Sequence, residues 1–191
     1  MNGKPNNRFD ALDNMNLDSI RLCPLTIADS RLTIHVLSSQ KKLTMAIMSA
    51  ERTHGDFGFT ITDEKSHVMT IDIPEDQGGG GTGFRPMQTV LAALCGCSGV
   101  DVVSILKKQR QQYDSLKIFI DGEREKGKEP SIWATVDIRF ELTGEVDPSK
   151  AYRAVELSVN KYCSVAETLR RAGTQLTWSV LVNGVKAEFP A

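Results

Sequence analysis

Four cysteines, Cys23, Cys95, Cys97 and Cys163, and one acid, Asp101, have types and spacings that could do chemistry. A thiol can ligate a metal, act as a redox nucleophile, or fill a core as a small hydrophobe. Metal ligation by the Cys95-Gly96-Cys97 element requires both sulfurs on one side. On a helix, residues two apart point about 200° from each other, so the pair cannot chelate one ion. His35, His54 and His67 are scattered over strand or loop segments, with no second close Cys/His pair. The spacing therefore predicts no metal site, in contrast to the usual C-x2-C pattern. Cys95 falls on an apolar helical stripe and reads as a core residue. Cys23, beside Pro24, reads the same way.

Cys97 and Cys163 leave two readings open, a redox pair or two buried structural thiols. A reactive thiol needs its pKa lowered by a helix N-terminus or a cation. Cys163 directly precedes Ser164-Val165-Ala166-Glu167, which matches a capping box. The free N–H groups of a helix starting there would favour its thiolate. Cys97 lies deeper in a helix and needs a cation from elsewhere. Asp101 follows Cys97 by one turn and shares its face. A carboxylate there raises a thiol pKa, so Asp101 reads either as a paired structural acid or as a group that holds a cation.

The elements that must position these residues follow from periodicity. Strand-like alternation runs over Arg31–Leu37, Leu43–Met48, Phe57–Ile61 and His67–Ile73. The run Gly78-Gly79-Gly80-Gly81-Thr82-Gly83 is expected as a loop and a hinge, and it lacks the GxxxxGK[ST] phosphate-loop pattern. Pro86 suits the first position of a helix, and helical periodicity continues from Met87 to Gln112. One stripe holds Leu91, Leu94, Cys95, Ser98, Val102, Ile105 and Leu106, and a second holds Val90, Ala93, Cys97 and Val100. A helix so apolar on all sides belongs in an interior. Leu116–Arg124 and Ile132–Leu142 read as an antiparallel pair. Asp147-Pro148 opens a second helix, expected to break near Tyr162-Cys163, restart, and end at Gly173; a last strand spans Leu176–Val182. The order predicts an α+β fold with a largely antiparallel sheet around a buried central helix. One sheet and one further helix cannot cover that central helix, so a second subunit is expected to.

The chain has 191 residues with 40% hydrophobic and 25% charged residues, enough for one soluble domain with its own core. The expected division is an N-terminal extension over residues 1–40, in part disordered and with a possible extra strand, and a domain over 41–191. A net charge of −1 without basic clusters argues against nucleic-acid binding. No signal-peptide pattern or run of about 18 apolar residues is present, so neither export nor a membrane partner is expected. The expected location is cytoplasmic, where thiols stay reduced.

Gly83-Phe84-Arg85-Pro86-Met87, then Leu91-Ala92-Ala93-Leu94-Cys95-Gly96-Cys97-Ser98-Gly99-Val100-Asp101-Val102-Val103, resembles the central helix of the OsmC/Ohr superfamily. Lys161-Tyr162-Cys163-Ser164-Val165-Ala166 is similar to that family's second cysteine motif, and the wording of both motifs looks most like the YhfA-like branch. The resemblance spans about Leu43 to Val185. It implies an intertwined homodimer with active sites at the subunit interface and central helices packed back to back. It further implies oxidative-stress defence by reduction of organic hydroperoxides. Cys97 would be the peroxidatic thiol, Cys163 the resolving thiol, and a dithiol the reductant, with no cofactor. Peroxidase members place a glutamate directly after the helix-opening proline to orient an activating arginine from an early loop. Here Met87 and Gln88 stand in that region. The candidates for the arginine are Arg52 and, by proximity to the helix start, Arg85, with Gln88 and Asp101 as candidate binding residues. The same residues would also serve a non-catalytic ligand-binding or redox-sensing dimer, or a structural dimer with inert thiols.

Overall fold

The computed structural model describes residues 48–188. The expected strand Arg31–Leu37, nearly all of Leu43–Met48, and Cys23 and His35 lie outside the described residues. Three strands, β1 (Met48–His54), β2 (Gly58–Asp63) and β3 (Val68–Ile71), form one antiparallel sheet in sequence order. Arg52 pairs with Phe59, and the register shifts between Arg52 and His54. Arg52 thus belongs to a strand, not to the loop the sequence predicts. The polar segment Ser49–His54 shows no apolar alternation because β1 is exposed along its whole length; its order comes from backbone pairing with β2. The strand expected over His67–Ile73 is shorter, because the Asp63 carboxylate shapes the turn before it. Asp63 accepts from the Lys65 N–H (2.9 Å), the His67 N–H (2.9 Å) and His67 Nδ1 (2.8 Å).

The glycine run is an ordered loop wrapped around one carboxylate. Asp72 is 1% exposed. Its oxygens accept from the Ile73 N–H (2.8 Å), the Gly80 N–H (3.1 Å), the Thr82 N–H (3.1 Å) and the Thr82 hydroxyl (2.9 Å). A Cβ on Gly79 would lie 2.0 Å from the Ile73 carbonyl oxygen, so only glycine fits there. The expected hinge is instead a fastened loop.

Helix α1 (Pro86–Lys108) starts at Pro86 as expected and stops four residues before Gln112. Its end is a Schellman closure: the Arg110 N–H donates to the Lys107 carbonyl and the Gln111 N–H to the Leu106 carbonyl. Arg110 takes the left-handed conformation, at φ 55°. Glycine is the usual signal for this stop, and its absence let the helical periodicity overshoot. Two strands, β4 (Ser115–Arg124) and β5 (Trp133–Thr143), pair antiparallel. After β5 come α2 (Pro148–Leu157), a π-helical turn (Ser158–Tyr162) and α3 (Ser164–Arg171). The chain then returns as β6 (Gln175–Val182), parallel to β5, followed by the short β7 (Val185–Lys186). This crossover through helices is what a parallel neighbour requires.

Alternation on β5 buries Val136, Ile138, Phe140 and Leu142 on one face. They form one core with Leu94, Val102 and Leu106 of α1 and Ala151, Ala154 and Val155 of α2. The architecture is α+β with a largely antiparallel arrangement, as the sequence predicts. Burial on α1 is one-sided, however. Leu94, Ser98, Val102 and Leu106 are buried, whereas Ala93, Gly96, Val100 and Val103 are exposed. By length and composition alone α1 could cross a membrane; its buried row packs into the protein core instead.

Candidate functional site

Cys97 comes from the middle of α1, four residues before Asp101, so both side chains project from one face. Cys163 arrives from the other side, at the junction between the π-helical turn and α3. Its N–H donates to the Ser158 carbonyl five residues back at 2.8 Å, the bond that widens the helix there. Cys163 then turns extended (φ −69°, ψ 106°) and becomes the N-cap of α3. The break and restart fall where the sequence predicts. The sequence pattern points to Ser164 as the cap; Cys163 occupies the position, its sulfur accepting from the Ala166 N–H at 3.4 Å.

The result is a compact cluster. Cys97 Sγ, Cys163 Sγ and a carboxylate oxygen of Asp101 all lie within 4.8 Å of one another. Both thiols are free. Cys163 is only 2% exposed, yet it lines a hollow of about 310 Å³ together with Lys161, Tyr162, Ser164, Glu167, Thr168 and Arg171. Burial pushes the Cys163 thiol up to about 11; the Ala166 N–H pulls the other way, and the neighbouring Cys97 pushes further up. The helix N-terminus expected to favour its thiolate is present, but desolvation outweighs it. Burial also raises the Cys95 thiol. Cys95 is half-buried and stands apart from the cluster; it is not among the residues packed against the core, where Cys97 is, so the core place expected of it is not found.

Asp101 is held by a residue the sequence reading missed. The buried Ser158 hydroxyl donates to the Ser98 carbonyl at 3.0 Å and approaches Asp101 Oδ2 at 3.5 Å. The signal was faint: a serine continuing the apolar face of α2. Gln88, expected as a binding residue, has a duty at the start of α1. Its Oε1 accepts from the Arg85 N–H at 3.1 Å, so it caps α1. The Met87 carbonyl accepts from Trp133 Nε1 at 3.3 Å, which ties the start of α1 to β5. Arg52 is exposed and pairs with Asp56 at 3.7 Å. Arg85 is exposed at the mouth of α1. Among the described residues no arginine donates to either sulfur. His54 bonds Thr53 and His67 bonds Asp63, so neither joins the thiols.

Comparison with known proteins agrees with these features. The family model for OsmC-like proteins matches residues 78–179, which include both thiol motifs. Protein YhfA of Escherichia coli K12 is 41% identical over 88 residues, which is 46% of this chain and 65% of that protein; the match thus spans under two thirds of the relative. The crystal structure of a hypothetical protein from Aquifex aeolicus VF5 superposes with a TM-score of 0.60 at 30% identity, covering 72% of this chain and 97% of the other. An organic hydroperoxide resistance protein OsmC from Legionella pneumophila shares the fold, with a TM-score of 0.57 at 18% identity over 74% of this chain and all (100%) of that one. With its two cysteine motifs, its one-sided central helix and these matches taken together, the chain belongs to the OsmC-like protein family.

Proposed function

We propose that the protein is a cytoplasmic, homodimeric thiol peroxidase that reduces organic hydroperoxides through Cys97 and Cys163. The observation that carries this reading is the meeting of two thiols from separate helices within 4.8 Å. A disulfide needs the sulfurs about 2.05 Å apart, and Cys163 is the last residue before a helix start, where a small backbone rotation moves the sulfur.

The chemistry balances as follows. The Cys97 thiolate attacks the distal oxygen of the hydroperoxide, the O–O bond breaks, and the alkoxide takes a proton and leaves as alcohol. The resulting sulfenic acid condenses with Cys163, which gives up its proton; water leaves and the disulfide forms. A small dithiol then reduces the disulfide by exchange. Its burial suits Cys163 to the resolving role, since a protonated thiol does not compete for the peroxide.

The activating cation is assigned to Arg52. Neither Arg52 nor Arg85 reaches a sulfur within one chain. In the homodimer a second copy covers the bare side of α1, and its exposed N-terminal sheet is the source assigned for the cation. The prediction is that Arg52→Ala slows oxidation of Cys97 at neutral pH by about tenfold or more, because a neighbouring cation shifts a thiol pKa by one unit or more. Arg85→Ala should change it little. The reverse ranking would transfer the role to Arg85.

The test mixes reduced protein with cumene hydroperoxide and follows the thiols by mass spectrometry. The expected product is a Cys97–Cys163 disulfide, absent in Cys97→Ser, with steady turnover when a dithiol is supplied. A second reading, a redox-sensing or ligand-binding dimer, is favoured by Met87, which stands directly after Pro86 where peroxidase members carry a glutamate, while Gln88 beside it is engaged in helix capping. One round of disulfide formation without turnover would select it. No oxidation of Cys97 at all would remove both redox readings.

A further inference from the structure

We propose that Cys97, Cys163 and Asp101 together form a binding site for a thiophilic divalent cation of the zinc type. The inference goes beyond the peroxidase reading and does not depend on it. It uses a different ligand set from the Cys95–Cys97 pair, which still points to opposite sides of α1. Cys97 and Asp101 are four apart on one helix face, a spacing that presents two ligands to one ion. Cys163 supplies the third from a separate element.

The dimensions fit. With Zn–S near 2.3 Å and Zn–O near 2.0–2.2 Å, the ligand atoms of a tetrahedral site are about 3.5–3.8 Å apart. The three atoms here lie within 4.8 Å of one another, so contraction by at most about 1.3 Å brings them onto an ion. Ser158 approaches Asp101 Oδ2 while anchored to the Ser98 carbonyl, the kind of outer contact that fixes a carboxylate ligand. Of the three ligands, Cys163 also borders a hollow of about 310 Å³. Lys161 is the cation of that hollow left to offset the negative charge of the ligand set, since Arg171 pairs with Glu167 at 2.8 Å. Binding transfers no electrons: two thiols lose their protons to solvent and the carboxylate binds as it is. The occupied thiols are then withheld from peroxide, and from each other, until the ion leaves.

Cobalt(II) is the probe. Reduced full-length protein is titrated anaerobically while thiolate-to-cobalt charge-transfer bands and tetrahedral d–d bands are recorded. The expected result is one cobalt per chain, displaced by zinc. Cys97→Ser and Cys163→Ser should each abolish the thiolate bands, Asp101→Asn should weaken binding by about tenfold or more, and Cys95→Ala should leave it intact. Zinc should also shield Cys97 of the unaltered protein from iodoacetamide while Cys95 stays reactive, a readout that needs no variant to fold and does not depend on the slow, buried Cys163. Absence of thiolate bands, bands that survive in Cys97→Ser or Cys163→Ser, or alkylation of Cys97 unchanged by zinc would overturn the site. Neither measurement involves hydroperoxide, so the metal site and the peroxidase reading stand or fall separately.

Discussion

At the residue scale, Cys163 is where two opposing influences meet. The N–H groups opening α3 stabilise a thiolate, and burial opposes it more strongly, leaving the thiol raised to about 11. An unfolded cysteine titrates near 8.5. As pH rises between these values, the unfolded chain loses its proton first, so it binds fewer protons than the native state and stability falls. Below the unfolded value both states hold the proton and the contribution is complete; it is lost as pH climbs through the folded value. Denaturation of reduced protein at pH 8 through 11 should therefore show a decline that is shallower in Cys163→Ala. Alkylation of Cys163 should likewise lag that of an unfolded cysteine control and catch up only toward pH 11. The two thiols and Asp101 were legible in the sequence because their signals are local: residue type, a one-turn spacing and a capping pattern. Their convergence is not legible in local pattern, because it depends on how far the chain between α1 and α3 brings the second helix back; only the resemblance of the two cysteine motifs implied it. Ser158 was hidden for a related reason, since a buried serine acquires its meaning only from the Ser98 carbonyl across the helix interface.

At the element scale, the helix ends and the glycine loop show what local pattern can and cannot settle. The Asp147 cap, with its carboxylate accepting from the Ser149 N–H (2.8 Å) and the Lys150 N–H (3.3 Å), is written in the sequence as Asp-Pro. The stop of α1 is not, because Arg110 fills a position where glycine is the readable sign. Strand β1 escaped because an exposed strand carries no apolar alternation. The loop over Gly78–Gly83 is tied to the sheet by Asp72, whose carboxyl lies below the usual range chiefly because the Thr82 N–H donates to it. Asp72→Ala should leave Gly80 and Thr82 without their acceptor and raise amide exchange across the loop, while the core exchanges as before. Equal exchange in the two proteins would mean the glycines hold the loop unaided. The core is the contrasting case. Phe140 is fully buried among Leu94, Val102 and Val155, and Phe140→Ala should cost about 3–5 kcal/mol in chemical denaturation.

At the scale of the whole molecule, the decisive feature is the side of α1 that the described residues leave bare. Ala93, Gly96, Val100 and Val103 recur at spacings of three and four, the pattern of a helix seam, and Val100 is 71% exposed. A glycine inside a helix costs about 1 kcal/mol relative to alanine. Among the described residues nothing offsets that cost at Gly96, since an added Cβ would meet no atom within 4 Å. Small residues along such a row let a second helix approach closely, which is the homodimer the proposed function requires. Phe57, Phe59 and Phe84 are further large apolar side chains left exposed. Val100→Glu would place a charge in the middle of the seam, where an unpaired carboxylate cannot be buried cheaply. In sedimentation the unaltered protein should run as a dimer and Val100→Glu as a monomer or a mixture that dissociates on dilution. Gly96→Ala separates seam from self-packing: if α1 met only solvent on this side, alanine would stabilise the fold, whereas at a close helix contact it weakens association. A dimer undisturbed by both substitutions would place the subunit contact elsewhere and leave the bare row of α1 unexplained.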